Sequence, residues 1–201
     1  MQVEYFFDCS SPWTYLAYTR IESICERYSA ALIWKPILVG GVFNSVNASV
    51  YEQRANPIAV KSAYYQKDLT DWAKHQGIVI GTPAVFPVNS VKAMRGCFVA
   101  QDKGLLSDYV GHVFHSYWTD LNDISKDEVL EDILDKTGLD RIEFFQKITD
   151  QAYKDKLRAN TEELVRRGGF GSPTMFVNES DMYFGNDRLV LLEATLARGV
   201  D

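Results

Sequence analysis

Apolar positions recur along the chain with a period that changes from segment to segment. Val3, Tyr5, Phe6 and Phe7 form a short aromatic-rich run that predicts a buried strand over 2–8. From Pro12 the spacing becomes helical: Ala17, Ile21, Ile24, Cys25 and Tyr28 share one face, while Arg20, Glu22, Glu26 and Arg27 take the other. Proline suits the first helical position, and Ser11 before it is a suitable N-cap. A second apolar run from Ala31 through Trp34 to Val39 predicts another strand. Strand, helix and strand in this order make a βαβ unit.

The middle of the chain, 48–148, is mainly helical in pattern. It predicts a helix over 57–76 carrying Tyr64, Tyr65, Leu69, Trp72 and Ala73, then an apolar loop from Ile78 to Val88 punctuated by Gly81, Pro83 and Pro87. Asn89 can cap a helix to about Lys103, and another runs from Ser107 to about Thr119. Ser125-Lys126-Asp127-Glu128 has capping-box spacing before a helix at 126–136, and Asp140 can cap a shorter one at 141–148. A helix over 150–167 stops at Gly168-Gly169. Thr174–Val177 and Met182–Phe184 read as strands around a turn, and Asp187 caps a last helix over 188–198, with Gly199 past its end. The element order predicts an α/β, thioredoxin-like fold: βαβ and ββα halves at 1–47 and 149–201 enclose an inserted helical domain at 48–148.

Composition narrows the partners. Of 201 residues, 21 are Lys or Arg and 27 are Asp or Glu, a net charge of −6, which argues against binding a phosphate backbone. No apolar run approaches the roughly 18 residues of a membrane span, and the N-terminal pattern predicts no signal peptide. The three cysteines, Cys9, Cys25 and Cys97, lack CxxC spacing, which excludes a disulfide scaffold and a four-cysteine zinc site and predicts a reducing, cytoplasmic setting.

The segment Phe7-Asp8-Cys9-Ser10-Ser11-Pro12-Trp13-Thr14-Tyr15-Leu16-Ala17 resembles the signature of the 2-hydroxychromene-2-carboxylate isomerases and kappa-class glutathione transferases, relatives of the disulfide oxidoreductase DsbA. Redox relatives hold Cys-x-x-Cys at this turn, where Ser11-Pro12-Trp13-Thr14 stand here, so thiol–disulfide exchange has no thiolate to use. The resemblance implies glutathione as cofactor, with the Ser11 hydroxyl and the helix start holding its sulfur as thiolate. Taken alone, Ser11 is an N-cap. Phe170-Gly171-Ser172-Pro173-Thr174-Met175-Phe176 resembles the cis-proline loop of thioredoxin-like proteins; by resemblance Ser172 and Pro173 meet the cysteinyl group, though the sequence leaves the isomer open. Phe184-Gly185-Asn186-Asp187-Arg188-Leu189 is similar to a family segment that holds the γ-glutamyl end, which implicates Gly185, Asn186 and Asp187; Arg188 fits a structural ion pair.

Softer matches add Asn47, beyond the stretch Trp34 to Phe43, and Lys61, in a Lys-x-x-Tyr-x-x-x-Asp-Leu pattern with Tyr64 and Asp68-Leu69; both join the cofactor set. Lys35, Phe43 and Asn89 are the candidate substrate contacts, and no metal is expected. His112 and His115 could share a helix face, but no third ligand of suitable spacing accompanies them. Cys25 and Cys9 read as buried, and Tyr64, Tyr65, Trp72, Tyr117 and Trp118 as packing. An aromatic substrate needs apolar walls, and the inserted helices with the Ile78–Val88 loop are where those are sought. The resemblance implies a homodimeric, glutathione-dependent isomerase of a small aromatic carboxylate in aromatic-hydrocarbon catabolism. Alternatives are a kappa-like transferase that consumes glutathione, and a DsbA-like thiol-binding or redox protein.

Overall fold

Alternation along the first strand places its residues on two cores. β1 (Gln2–Phe7) sends Val3, Tyr5 and Phe7 into the larger core, while Phe6 joins Ile37, Val42, Leu164 and Phe176 on the other face. The structure, a computed structural model, describes residues 1–199. β1 lies centrally in a four-stranded sheet of order β2-β1-β3-β4: it pairs parallel with β2 (Ala31–Pro36) and antiparallel with β3 (Thr174–Val177), which pairs antiparallel with β4 (Asp181–Phe184). Strand order and crossover are those of a DsbA-like thioredoxin fold.

α1 (Pro12–Arg27) connects the parallel pair and buries Leu16, Ala17, Ile21, Ile24 and Cys25, as its periodicity predicts. Helical structure fills the span between β2 and β3: α2 (Val39–Val46), α3 (Ser49–Ala55), α4 (Ala59–Gln76), α5 (Val91–Asp102), α6 (Leu106–Phe114), α7 (Asp127–Thr137), α8 (Arg141–Thr149) and α9 (Gln151–Arg166). α10 (Leu189–Arg198) closes the chain against α1. The large core runs from the sheet through α1 and α10 into α5–α8, with Tyr109, Phe114 and Phe144 fully buried.

The structure departs from the sequence reading at several element ends. β2 stops at Pro36, and Val39 begins a helix where a strand was expected. Two distant side chains hold that helix start: Thr161 Oγ1 accepts the Leu38 N–H at 3.0 Å, and Asp8 Oδ2 accepts the Val39 N–H at 2.8 Å. A carboxylate at a helix N-terminus meets unpaired N–H groups and the positive end of the dipole. The helix expected over 107–119 ends as α at Phe114 and continues as a π turn through Thr119. The 125–128 capping box does not form: Lys126 precedes α7, and the Ser125 hydroxyl donates to Asp123 at 2.6 Å. Asp140 does cap α8, accepting the Glu143 N–H at 2.7 Å. Asp187 caps nothing, because 186–188 form a 3-10 turn ahead of α10, whose preceding residue is Arg188.

Candidate active site

The two halves of the fold meet where β1 ends, and buried polar groups tie them together. Ser11 Oγ accepts the Thr14 N–H at 3.3 Å, which makes it the N-cap, and donates to the Ser172 carbonyl at 3.2 Å. Ser172 Oγ accepts the Asp8 N–H at 3.0 Å and lies 2.7 Å from Thr14 Oγ1. The Ser172–Pro173 peptide is cis. Trp118, on the π turn, donates its Nε1–H to the Cys9 carbonyl at 2.9 Å, so the inserted helices also brace the active-site turn.

Asp8 is the charged group of this base. It is 1% exposed, and burial raises its carboxyl above the usual aspartate range, while hydrogen bonds from Ser10, Val39 and Ser90 oppose the rise. Its Oδ1 accepts the Ser10 N–H at 2.9 Å. One carboxylate therefore joins the α1 turn, the start of α2 and the segment before α5. In the sequence it stands only as part of a signature; its signal is an acidic residue that closes an aromatic-rich strand beside the Ser11 turn.

Above this base opens a cleft of about 470 Å³. Ser11, Trp13, Phe43, Asn47, Asn89 and Ser172 line it, so five sequence-derived candidates converge with Trp13. Its mouth is aromatic: Phe43 and Tyr51 meet edge to face at 6.3 Å, and Phe86, from the 78–88 loop, is 47% exposed. Tyr65, expected as packing, also lines the cleft and accepts a 2.8 Å hydrogen bond from Trp13 Nε1. Tyr117 and Trp118 are core residues. Arg54, on the unforeseen α3, lines the mouth as well; no local pattern marked it.

A second cavity of about 350 Å³ adjoins the first, with Trp13, Ser172 and Phe184 common to both. Pro173, Gly185, Asn186, Asp187 and Asp68 line it. Gly185 has φ +101° and donates its N–H to the Pro173 carbonyl at 3.0 Å; a Cβ there would stand 2.8 Å from Asp187 Oδ1. Asn186 is 3% exposed, and its buried Nδ2 has no hydrogen-bond partner. An orphaned donor beside two carboxylates suits a ligand end that bears both a carboxylate and an ammonium.

Two candidates lie elsewhere. Lys35 does not face the cleft: its Nζ is 3.0 Å from Glu163 and 3.7 Å from Glu4, and Arg167 completes the cluster by bonding both carboxylates. Lys35 alternates onto the Phe6 face of the sheet, where these acids neutralise it. Lys61 is exposed on α4 and lines neither cavity. Asn47 reaches the cleft with its amide already engaged, donating to the Phe170 carbonyl at 3.1 Å and accepting from Ser49 at 3.0 Å. Asn89 accepts the Val91 N–H at 3.1 Å, although Ser90 is the residue preceding α5.

The sulfur and imidazole groups do not join the site. Cys9, Cys25 and Cys97 are buried and free, and burial holds the Cys9 and Cys97 thiols well above the ordinary range, so neither is a ready thiolate. His112 and His115 each face an aspartate, Asp108 and Asp120, and no cluster of metal-ligating side chains occurs among the described residues. No helix among them is long and apolar enough to cross a membrane.

Comparison with known proteins agrees with this architecture. A family profile described as a DSBA-like thioredoxin domain matches residues 2–197. A 2-hydroxychromene-2-carboxylate isomerase of Pseudomonas sp. (strain C18) is 30% identical, over 95% of this chain and 88% of its own. A glutathione S-transferase kappa 2 of Caenorhabditis elegans is 26% identical, over 93% of this chain and 88% of its own. The solved structure of a 2-hydroxychromene-2-carboxylate isomerase superposes with a TM-score of 0.83 at 28% identity, covering 98% of this chain and 95% of that one.

Proposed function

The chain belongs to the DSBA-like thioredoxin family, in the group that holds the 2-hydroxychromene-2-carboxylate isomerases and the kappa-class glutathione transferases, and on that premise we propose that it is a glutathione-dependent isomerase of a small aromatic carboxylate. The substrate type is the 2-hydroxychromene-2-carboxylate and trans-o-hydroxybenzylidenepyruvate pair of aromatic-compound breakdown. The observation that carries this reading is the pair of adjoining cavities. One holds Asp68, Asp187 and an orphaned Asn186 Nδ2; the other has an aromatic mouth of Phe43, Tyr51 and Phe86; Trp13 and Ser172, beside Ser11, line both.

The residues present fit the tripeptide. Asn186 and the N–H groups of its turn would take the γ-glutamyl carboxylate, and Asp187 and Asp68 its ammonium. Ser172 and Pro173 would face the cysteinyl group, and Asn47 sits toward the cleft. When bound, glutathione supplies a thiolate able to add reversibly to the conjugated enone of the ring-opened substrate. The chain's own contribution is positional and electrostatic. The α1 start favours negative charge at its N–H end, and the Ser11 hydroxyl, which now donates to the Ser172 carbonyl, is free to re-aim its hydrogen at a sulfur placed there. Among the described residues Ser11 has no histidine or lysine partner to draw off its proton, so it acts as donor and not as nucleophile. Phe43, Phe86 and Trp13 exclude water around the ring.

Calorimetric titration with glutathione tests the reading, followed by turnover of trans-o-hydroxybenzylidenepyruvate with total glutathione measured before and after. Binding, dependence on glutathione and full recovery of the thiol are the expected results. In Ser11→Ala turnover falls by about 10²-fold, the cost of removing one donor from a developing anion, and the ultraviolet absorbance of the bound thiolate falls with it. Because the cap is lost too, at about 1 kcal/mol, the variant's melting curve accompanies the assay. Absence of glutathione binding overturns the proposal, and stoichiometric consumption of the thiol replaces it with the kappa-like transferase.

A further inference from the structure

Arg54 is the sole cation among the described residues that line the larger cleft. Its guanidinium carbon stands 5.6 Å from the Phe43 ring centroid and 5.2 Å from that of Phe86, so two aromatic residues of the mouth hold its position. Arg20, Arg27, Arg141, Arg158, Arg167 and Arg188 all have carboxylate partners. Arg54 takes part in none of the ion pairs among the described residues. The cleft's other charged residue, Asp8, is buried, with both oxygens occupied by backbone N–H groups. Tyr51, which also lines the cleft and packs on Phe43, is engaged as well, its hydroxyl donating to Asn44 at 2.8 Å. A guanidinium lying against aromatic rings keeps its N–H edge free, and that edge fits a carboxylate with two parallel hydrogen bonds.

We propose that Arg54 is the specificity-determining residue of the cleft: it receives the carboxylate of the aromatic substrate, whose ring lies against Phe43 and Phe86. The proposal rests on the reading of this cleft as an aromatic-carboxylate site and supplies the charge partner that Lys35, tied to Glu163, does not. It also explains how a chain of net charge −6 admits an anion: the positive potential is local to the mouth.

The test measures quenching of tryptophan fluorescence, with Trp13 in the cleft wall, by trans-cinnamate and by uncharged trans-cinnamamide, with and without glutathione. The wild-type protein binds cinnamate about tenfold more tightly than the amide, the scale of one charge-assisted pair partly shielded from water. Arg54→Gln binds both probes alike, Arg54→Lys recovers part of the preference, and glutathione affinity in both variants stays within about twofold of wild type. An undiminished preference for cinnamate in Arg54→Gln overturns the assignment of Arg54 and leaves the cleft reading standing. A fall in glutathione affinity equal to that for cinnamate also overturns it, since Arg54 would then serve the tripeptide. If the wild-type protein binds neither probe, the aromatic-carboxylate reading itself falls.

Discussion

The base of the cleft and its mouth are built on opposite terms. At the base, Asp8, Thr14 and Ser172 are buried, and each bonds to a segment distant in sequence. At the mouth, Tyr51 and Phe86 are 41% and 47% exposed, and Arg54 pairs with no carboxylate among the described residues. A base of satisfied hydrogen bonds holds one geometry, because any displacement strands a buried donor or acceptor. A mouth of exposed aromatic surface around a cation is costly to leave in water and gains by covering itself with a ligand. Positional demands are met where the chain is locked, and selectivity is placed where it is not.

Three substitutions separate these terms. Asp8→Asn has the largest expected effect on stability, since both carboxyl oxygens accept a backbone N–H and the amide NH₂ that replaces one of them cannot accept. A loss of about 2 kcal/mol is expected, read as a lower Tm. Burial raises the Asp8 carboxyl in the fold above its unfolded value. Its stabilising contribution is therefore complete below the ordinary carboxylate pKa of about 3.9 and is lost as pH rises through the folded value. The wild-type advantage over Asp8→Asn is widest on the acid side and narrows upward; a gap that widens with pH contradicts this account.

Ser172→Ala leaves the Asp8 N–H without its acceptor and removes a partner of the Thr14 hydroxyl. A loss of about 1–2 kcal/mol is expected by denaturant titration, with no pH slope of its own. Should Ser172→Ala prove as stable as wild type, the base is not the locked element described here. Phe86→Ala sits at the other extreme. Its stability change stays within about 0.5 kcal/mol, yet affinity for aromatic carboxylates falls severalfold. Equal effects on stability and binding would dissolve the contrast between base and mouth.

The sequence was legible where structure is local. The 3.6-residue stripe of α1 and the alternation within β1 survive because each packs one continuous face against a core. α2 lies beyond the expected strand, which ends at Val39: its stripe of Val39, Val42, Phe43 and Val46 spans only eight residues, Gly40-Gly41 weaken helix propensity, and the contacts that hold its start come from Asp8 and Thr161, far along the chain. α3 has no buried face to mark it, being short and exposed at six of its seven positions. Arg54 therefore had no local mark. Lys35 carried a misleading one: a lysine on a strand near the signature looked available, and only the fold brings Glu4, Glu163 and Arg167 around it.

By itself the sequence determined the order of the strands and of the longer helices, the family and the signature turns at Ser11, Pro173 and Asn186, because period and short motifs are properties of neighbouring residues. The tertiary structure alone decided which of the candidates share a cleft, that Asp8 fastens its base, and that the cation lining the cleft is Arg54 and not Lys35. Burial and ion pairing depend on residues that meet only after folding, and no reading of spacing along the chain contains them.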